Sequence, residues 1–101
     1  MDLGFETIGN ACIIVHDRRP VLATDPWLFG DAYFGSWRLS HAVPQEQQDH
    51  VAACDYLWIS HGHPDHLSLP SLERLKDKKL LVPNHYGSRI YNDLVGLGFD
   101  V

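Results

Sequence analysis

The chain has 101 residues, of which 45% are hydrophobic and 21% charged, and its 13 acidic and 8 basic side chains leave a net charge of −5. That balance excludes a disordered or membrane-spanning polypeptide and allows one small core, so residues 1–101 are read as a single domain. The acidic excess also argues against nucleic acid as the main partner, because no basic stripe is available to neutralise phosphates.

Phe5 to Ile8, Ala11 to His16 and Val21 to Thr24 read as short strands of an antiparallel meander, with Asp17-Arg18-Arg19-Pro20 as the turn between the last two. Pro26 to Pro44 carries aromatics and glycines without a clear period, so it reads as a long loop that walls a pocket. Pro44 opens a helix to Ala53, with Glu46 in its first turn, where negative charge is favoured. Tyr56 to Ser60 is a buried strand. Ser68 or Ser71 can cap a helix running through Leu72, Leu75 and Lys79, and Lys76-Asp77-Lys78-Lys79 reads as its solvated, dipole-complementing end. Leu80 to Pro83 returns as a strand, Gly87 to Leu97 forms a last helix stopped by Gly98, and Phe99-Asp100-Val101 begins a further strand. Cys12 and Cys54 are too few for a disulfide scaffold and read as buried free thiols. There is no basic leader and no long apolar run, which predicts a cytoplasmic chain with no membrane partner.

The chemistry concentrates in His61-Gly62-His63-Pro64-Asp65-His66, directly after the strand at Tyr56. Side chains two residues apart in extended chain project to one side, so His61 and His63 can grip one metal. Pro64 turns the chain and lets Asp65 and His66 face a second position. Imidazole and carboxylate suit Zn, Fe or Mn, and two adjacent ions can activate water while polarising the bond under attack.

These residues match the His-x-His-x-Asp-His hallmark of the metallo-β-lactamase superfamily, which the chain therefore resembles. The stretch Asp25-Pro26-Trp27-Leu28, with Gly30, Trp37 and Tyr56-Leu57-Trp58-Ile59-Ser60-His61, is similar to the branch containing CMP-N-acetylneuraminate hydroxylase-like proteins. The resemblance covers roughly residues 5 to 85. It implies the N-terminal αβ half of an αβ/βα sandwich, a mixed sheet with flanking helices. It also implies two divalent ions, zinc foremost, with His61 and His63 on the first and Asp65 and His66 on the second. Asp65 would further orient the nucleophile.

The ligands that the family places in its second half have no counterpart here, since His85 comes too early to stand for any of them. The expectation is therefore a partial domain whose site is half built, with a sheet face to be covered by a missing C-terminal half or a second copy. The parent protein is expected to act on a small molecule as a binuclear metal-dependent hydrolase. Two alternatives stand beside that reading: a di-iron oxygenase of the same fold, and a non-catalytic chain that self-associates.

Asp25, at a strand end, is placed to accept a hydrogen bond from a ligating histidine and fix its tautomer, unless it only forms an Asp-Pro turn. Trp27 and Trp37, with Tyr33 and Phe34, offer flat apolar surface to a substrate, or pack the loop. Arg38 can pair with an anionic group, and His85 can face the pocket as a proton donor. His16, His41 and His50 carry no ligand spacing and read as surface residues.

Overall fold

The computed structural model describes residues 3–30, 35, 38–39, 42–61, 63, 66–83 and 88–101. Its elements in chain order are β1 (Leu3–Ile8), β2 (Cys12–Asp17), β3 (Pro20–Thr24), α1 (Gln45–Ala53), β4 (Tyr56–Trp58), α2 (Leu69–Glu73), β5 (Lys79–Leu81) and α3 (Arg89–Gly96).

The strands form one five-stranded sheet in sequence order, antiparallel across β1, β2 and β3 and parallel across β3, β4 and β5. Both hairpins need positive φ at their turns. Gly9 supplies it between β1 and β2 at φ 56°, where a side chain would also meet the Trp27 carbonyl at 3.4 Å. Arg18 supplies it between β2 and β3 at φ 67°. Next to that turn the register slips, so that His16 faces Pro20 and Val21 is bulged out. The parallel connections carry helices, as such crossovers require: α1 joins β3 to β4, and α2 joins β4 to β5.

The strict alternation of β2 decides which sheet face is covered. Cys12, Ile14 and His16 are buried while Ile13, Val15 and Asp17 are exposed. Cross-strand pairing puts Glu6 and Ile8 on the covered side with them, and Ala23, Leu57 and Leu80 continue that face toward β5. Val51 of α1, Leu72 of α2 and Leu94 of α3 pack into the same cluster. Each fully buried aliphatic side chain here contributes about 1.5–3 kcal/mol. The opposite face carries Leu3, Phe5, Ile13, Val15, Tyr56 and Leu81, all exposed, with Phe5 63% accessible. The expected mixed sheet with flanking helices and one uncovered apolar face is thus present.

The expected helix to Lys79 ends early. Ser68 caps α2, accepting from the Ser71 amide, but after Glu73 the chain closes i to i+3 turns, Leu75 to Leu72 at 2.8 Å and Lys78 to Leu75 at 3.1 Å. Lys78 is only 9% accessible and pairs with Asp77, while Lys79 in β5 pairs with Asp100 at 3.0 Å. The basic run is therefore a tight turn into β5, fastened to the chain end, and not a solvated helix terminus. The expected last strand is reduced to one parallel bridge between Lys79 and Asp100. Among the described residues no helix is long and apolar enough to cross a membrane. Cys12 and Cys54 are buried and free, as expected.

Candidate metal site

Because β3 and β4 run parallel, with Thr24 opposite Trp58, their C-terminal ends reach the same edge of the sheet. In open parallel sheets that edge is where ligands bind. Asp25 follows β3 there. Its amide donates to the Trp58 carbonyl at 2.7 Å, and its own carbonyl accepts from the Trp27 amide at 2.9 Å. Together with a φ of 40°, unusual for a residue with a side chain, these contacts hold the turn tightly.

The turn aims the buried carboxylate at the loop leaving β4. Oδ1 accepts from the Ser60 amide at 2.7 Å, and Oδ2 accepts from the Ser60 hydroxyl at 2.8 Å. The ring Nδ1 of His66 lies 3.0 Å from Oδ2. Having given its proton to Asp25, the Ser60 oxygen is left to accept from Nδ1 of His61 at 2.9 Å. Both rings are then Nδ1–H tautomers, and each turns its Nε2 lone pair outward. The three motif rings that are described gather closely: the His61 ring centroid lies 4.0 Å from that of His66 and 4.7 Å from that of His63. Asp65, the remaining motif ligand, lies outside the described residues.

Asp25 forms the Asp-Pro turn, and its carboxylate also lies 3.0 Å from Nδ1 of His66. Trp27 is 3% exposed and donates its indole N–H to the Gly30 carbonyl at 2.9 Å. It packs the loop and presents no open surface to a substrate. Arg38 lines a surface groove of about 330 Å³ with Leu28, Phe29, Leu39 and Val43. Trp37 and His85, like Tyr33, Phe34 and His41, lie outside the described residues.

His16 is buried and not a surface residue, whereas His50 is partly exposed. His16 is 4% exposed, and both rings contact one oxygen of Glu6: His16 through Nε2, and His50 through Nδ1 at 2.7 Å. Among the described residues, this is the group of three ligand-type side chains whose donor atoms lie within 4.8 Å of one another. Burial raises the Glu6 carboxyl, but hydrogen bonds from His16, His50 and Gln47 outweigh it and hold the group below its ordinary value. The alternation Cys12, Ile14, His16 was the available signal, because it places His16 on the buried side.

Comparison with known proteins bears on the chemistry. The chain is similar to the cytidine monophosphate-N-acetylneuraminic acid hydroxylase of Asterias rubens, 38% identical over 78 residues that cover 77% of this chain and 12% of that protein. It is 36% identical over 81 residues to the protein of the same name from Danio rerio, covering 80% of this chain and 14% of the relative. The relatives are named as hydroxylases. That favours the oxygenase alternative over the hydrolase reading. The human relative, named inactive, matches at 38% over 72 residues, 71% of this chain and 14% of that protein. Identity within this segment therefore does not by itself separate active from inactive relatives. The chain spans between 12% and 14% of the length of these three proteins. No family model and no solved structure matches it.

Proposed function

We propose that this chain is the metal-holding N-terminal portion of a hydroxylase of the kind named for its relatives, with a CMP-linked N-acetylneuraminic acid as the substrate class. The observation that carries the reading is the Asp25–Ser60 oxygen network at the C-terminal edge of the parallel strands, which engages Nδ1 of both His61 and His66. A ligating histidine ordinarily has its other ring nitrogen anchored in this way. The donor chemistry fits a divalent ion: His61, His63 and His66 supply imidazole, and Asp65 supplies a carboxylate. When bound, such an ion provides a Lewis acid and, as iron, a centre at which dioxygen can be used. The protein's own contribution is to hold the rings in one tautomer, with the Asp25 carboxylate buried behind them, and to restrict their rotation.

The covered and uncovered faces of the sheet support the αβ half of a metallo-β-lactamase sandwich. Its second layer, a C-terminal half or a second copy, would bury Phe5, Val15 and Tyr56 and complete the metal coordination. Alone, the chain is expected to be inactive.

The test is a graft. The matching segment of the Asterias rubens hydroxylase is replaced by that of this chain, and the product is followed by mass spectrometry with and without dioxygen. Retained, dioxygen-dependent addition of one oxygen atom that is lost in the His61→Ala/His63→Ala graft is the expected result. A folded graft whose turnover is indifferent to these histidines overturns the reading, and turnover that persists without dioxygen restores the hydrolase.

A further inference from the structure

A second cluster of ligand-type side chains lies at the other end of the sheet. Glu6 sits on β1 opposite Ile14, and His16 lies two residues further along β2, so both project from the covered face as diagonal neighbours. His50, in the last turn of α1, comes down onto them from the helix layer. His16 Nε2 and His50 Nδ1 converge on the same carboxylate oxygen, with the two rings edge-on, their centroids 5.3 Å apart and their planes at 88°. Gln47, from the same helix, approaches the other oxygen at 3.5 Å.

We infer that Glu6, His16 and His50 form a binding site for one zinc-class divalent ion, separate from the histidine motif. Two imidazoles and a carboxylate are a recognised zinc donor set, leaving a fourth position for water. The accessibility is graded in the way such a site needs: the side chains are 5% exposed at His16, 19% at Glu6 and 30% at His50. The ligands are thus anchored in the core on one side and reachable by water and ions from the other. A single cation between Glu6 Oε2, His16 Nε2 and His50 Nδ1 would engage all three donor atoms, with each neutral ring carrying its proton on its other nitrogen.

Separation from the motif follows from the strands. His16 is paired with Pro20 at the start of β3. Asp25 is five residues further on, roughly 16 Å at the rise of extended chain. The role also follows from the packing, because Val51 is the buried residue of α1. A helix with so little apolar contact gains from a polar clamp, and the ion would staple α1 to the β1–β2 hairpin. This inference does not depend on the proposed hydroxylase activity.

The test uses the chain carrying His61→Ala/His63→Ala, so that the motif does not compete, titrated with Zn²⁺ by calorimetry and with Co²⁺ by visible absorption. One equivalent should bind saturably, raise the unfolding temperature, and give the d–d bands of a low-coordinate cobalt site. Adding His50→Ala or Glu6→Gln, each checked for folding by circular dichroism, should weaken binding by at least tenfold and abolish the thermal shift. Absence of saturable binding, or binding unchanged in both variants, overturns the proposal and leaves a hydrogen-bonded Glu–His network.

Discussion

Asp25→Asn is the substitution that most sharply tests how the histidine motif is held. The asparagine keeps one oxygen for the Ser60 amide, now 2.7 Å from Oδ1, but puts an NH₂ where Oδ2 accepts from the Ser60 hydroxyl and from His66. Two donors would then face a donor. The hydroxyl can rotate away, but His66 must give up its Nδ1 proton and carry it on Nε2 instead. Hydrogen bonds to a charged acceptor contribute about 1.5–3 kcal/mol, so the loss should be about 2 kcal/mol. For a chain of this size that lowers Tm by roughly 10 °C, readable by thermal unfolding and by urea titration. The proton shift is visible directly, since ¹⁵N-resolved NMR of the imidazole should report the change of tautomer at His66. Loss of an anchoring partner behind a ligating histidine typically costs about 10–100-fold in metal affinity. An Asp25→Asn protein with unchanged stability, an unchanged His66 tautomer and unchanged metal affinity would refute the network as described.

Other expectations concern the rest of the molecule. Glu6 titrates below its ordinary value in the folded chain, so the stability it contributes is present above pH 4.5 and lost as pH falls through its folded pKa. Urea titrations across that range should show a shallower acid loss in Glu6→Gln than in the parent. Burial pushes the Cys12 thiol up to about 12 and the Cys54 thiol up to about 11. Both should react with a disulfide reagent at pH 8 more than tenfold more slowly in the folded chain than in urea, and prompt labelling of the native protein would contradict their burial. Phe5 and Val15 face each other across β1 and β2 on the open side of the sheet. Replacing Phe5 by lysine and Val15 by glutamate, an opposite-charge pair, should suppress concentration-dependent association in sedimentation velocity, with a stability change within about 1 kcal/mol. Leu57 is fully buried on the inner strand β4, and Leu57→Ala should cost about 2–5 kcal/mol in the same urea assay.

Much of this architecture could be read from residue pattern. Ala11 to His16 was legible as a strand, though not which of its sides is buried, and the apolar run before His61 marked a buried strand leading to the histidines. Ser68 and Ser71 both announced a helix start, of which Ser68 is the cap, but nothing local announced the early stop of α2, because the turn at Lys76 to Lys78 is set by the need to enter β5 beside β4. The partnership of Asp25 with Ser60 and His66 depends on β3 and β4 lying parallel in register, a contact 35 residues apart along the chain. The clustering of Glu6, His16 and His50 was hidden for a similar reason. Sequence spacing identifies ligands that share one loop, whereas these three come from two strands and a helix. His16 was misread as a surface residue because polarity was weighed above its place in the alternation.

The central claim is that the motif histidines hold a divalent metal, with Nδ1 of His61 and of His66 fixed from behind. The most direct measurement is elemental mass spectrometry of the purified chain after exchange into chelator-free buffer, beside His61→Ala/His63→Ala and beside that variant with His50→Ala added. Metal that falls on loss of His61 and His63, with iron favouring the hydroxylase and zinc the hydrolase, is the result the account predicts. Metal content insensitive to His61 and His63, even when Fe²⁺ and Zn²⁺ are supplied in excess, would contradict it.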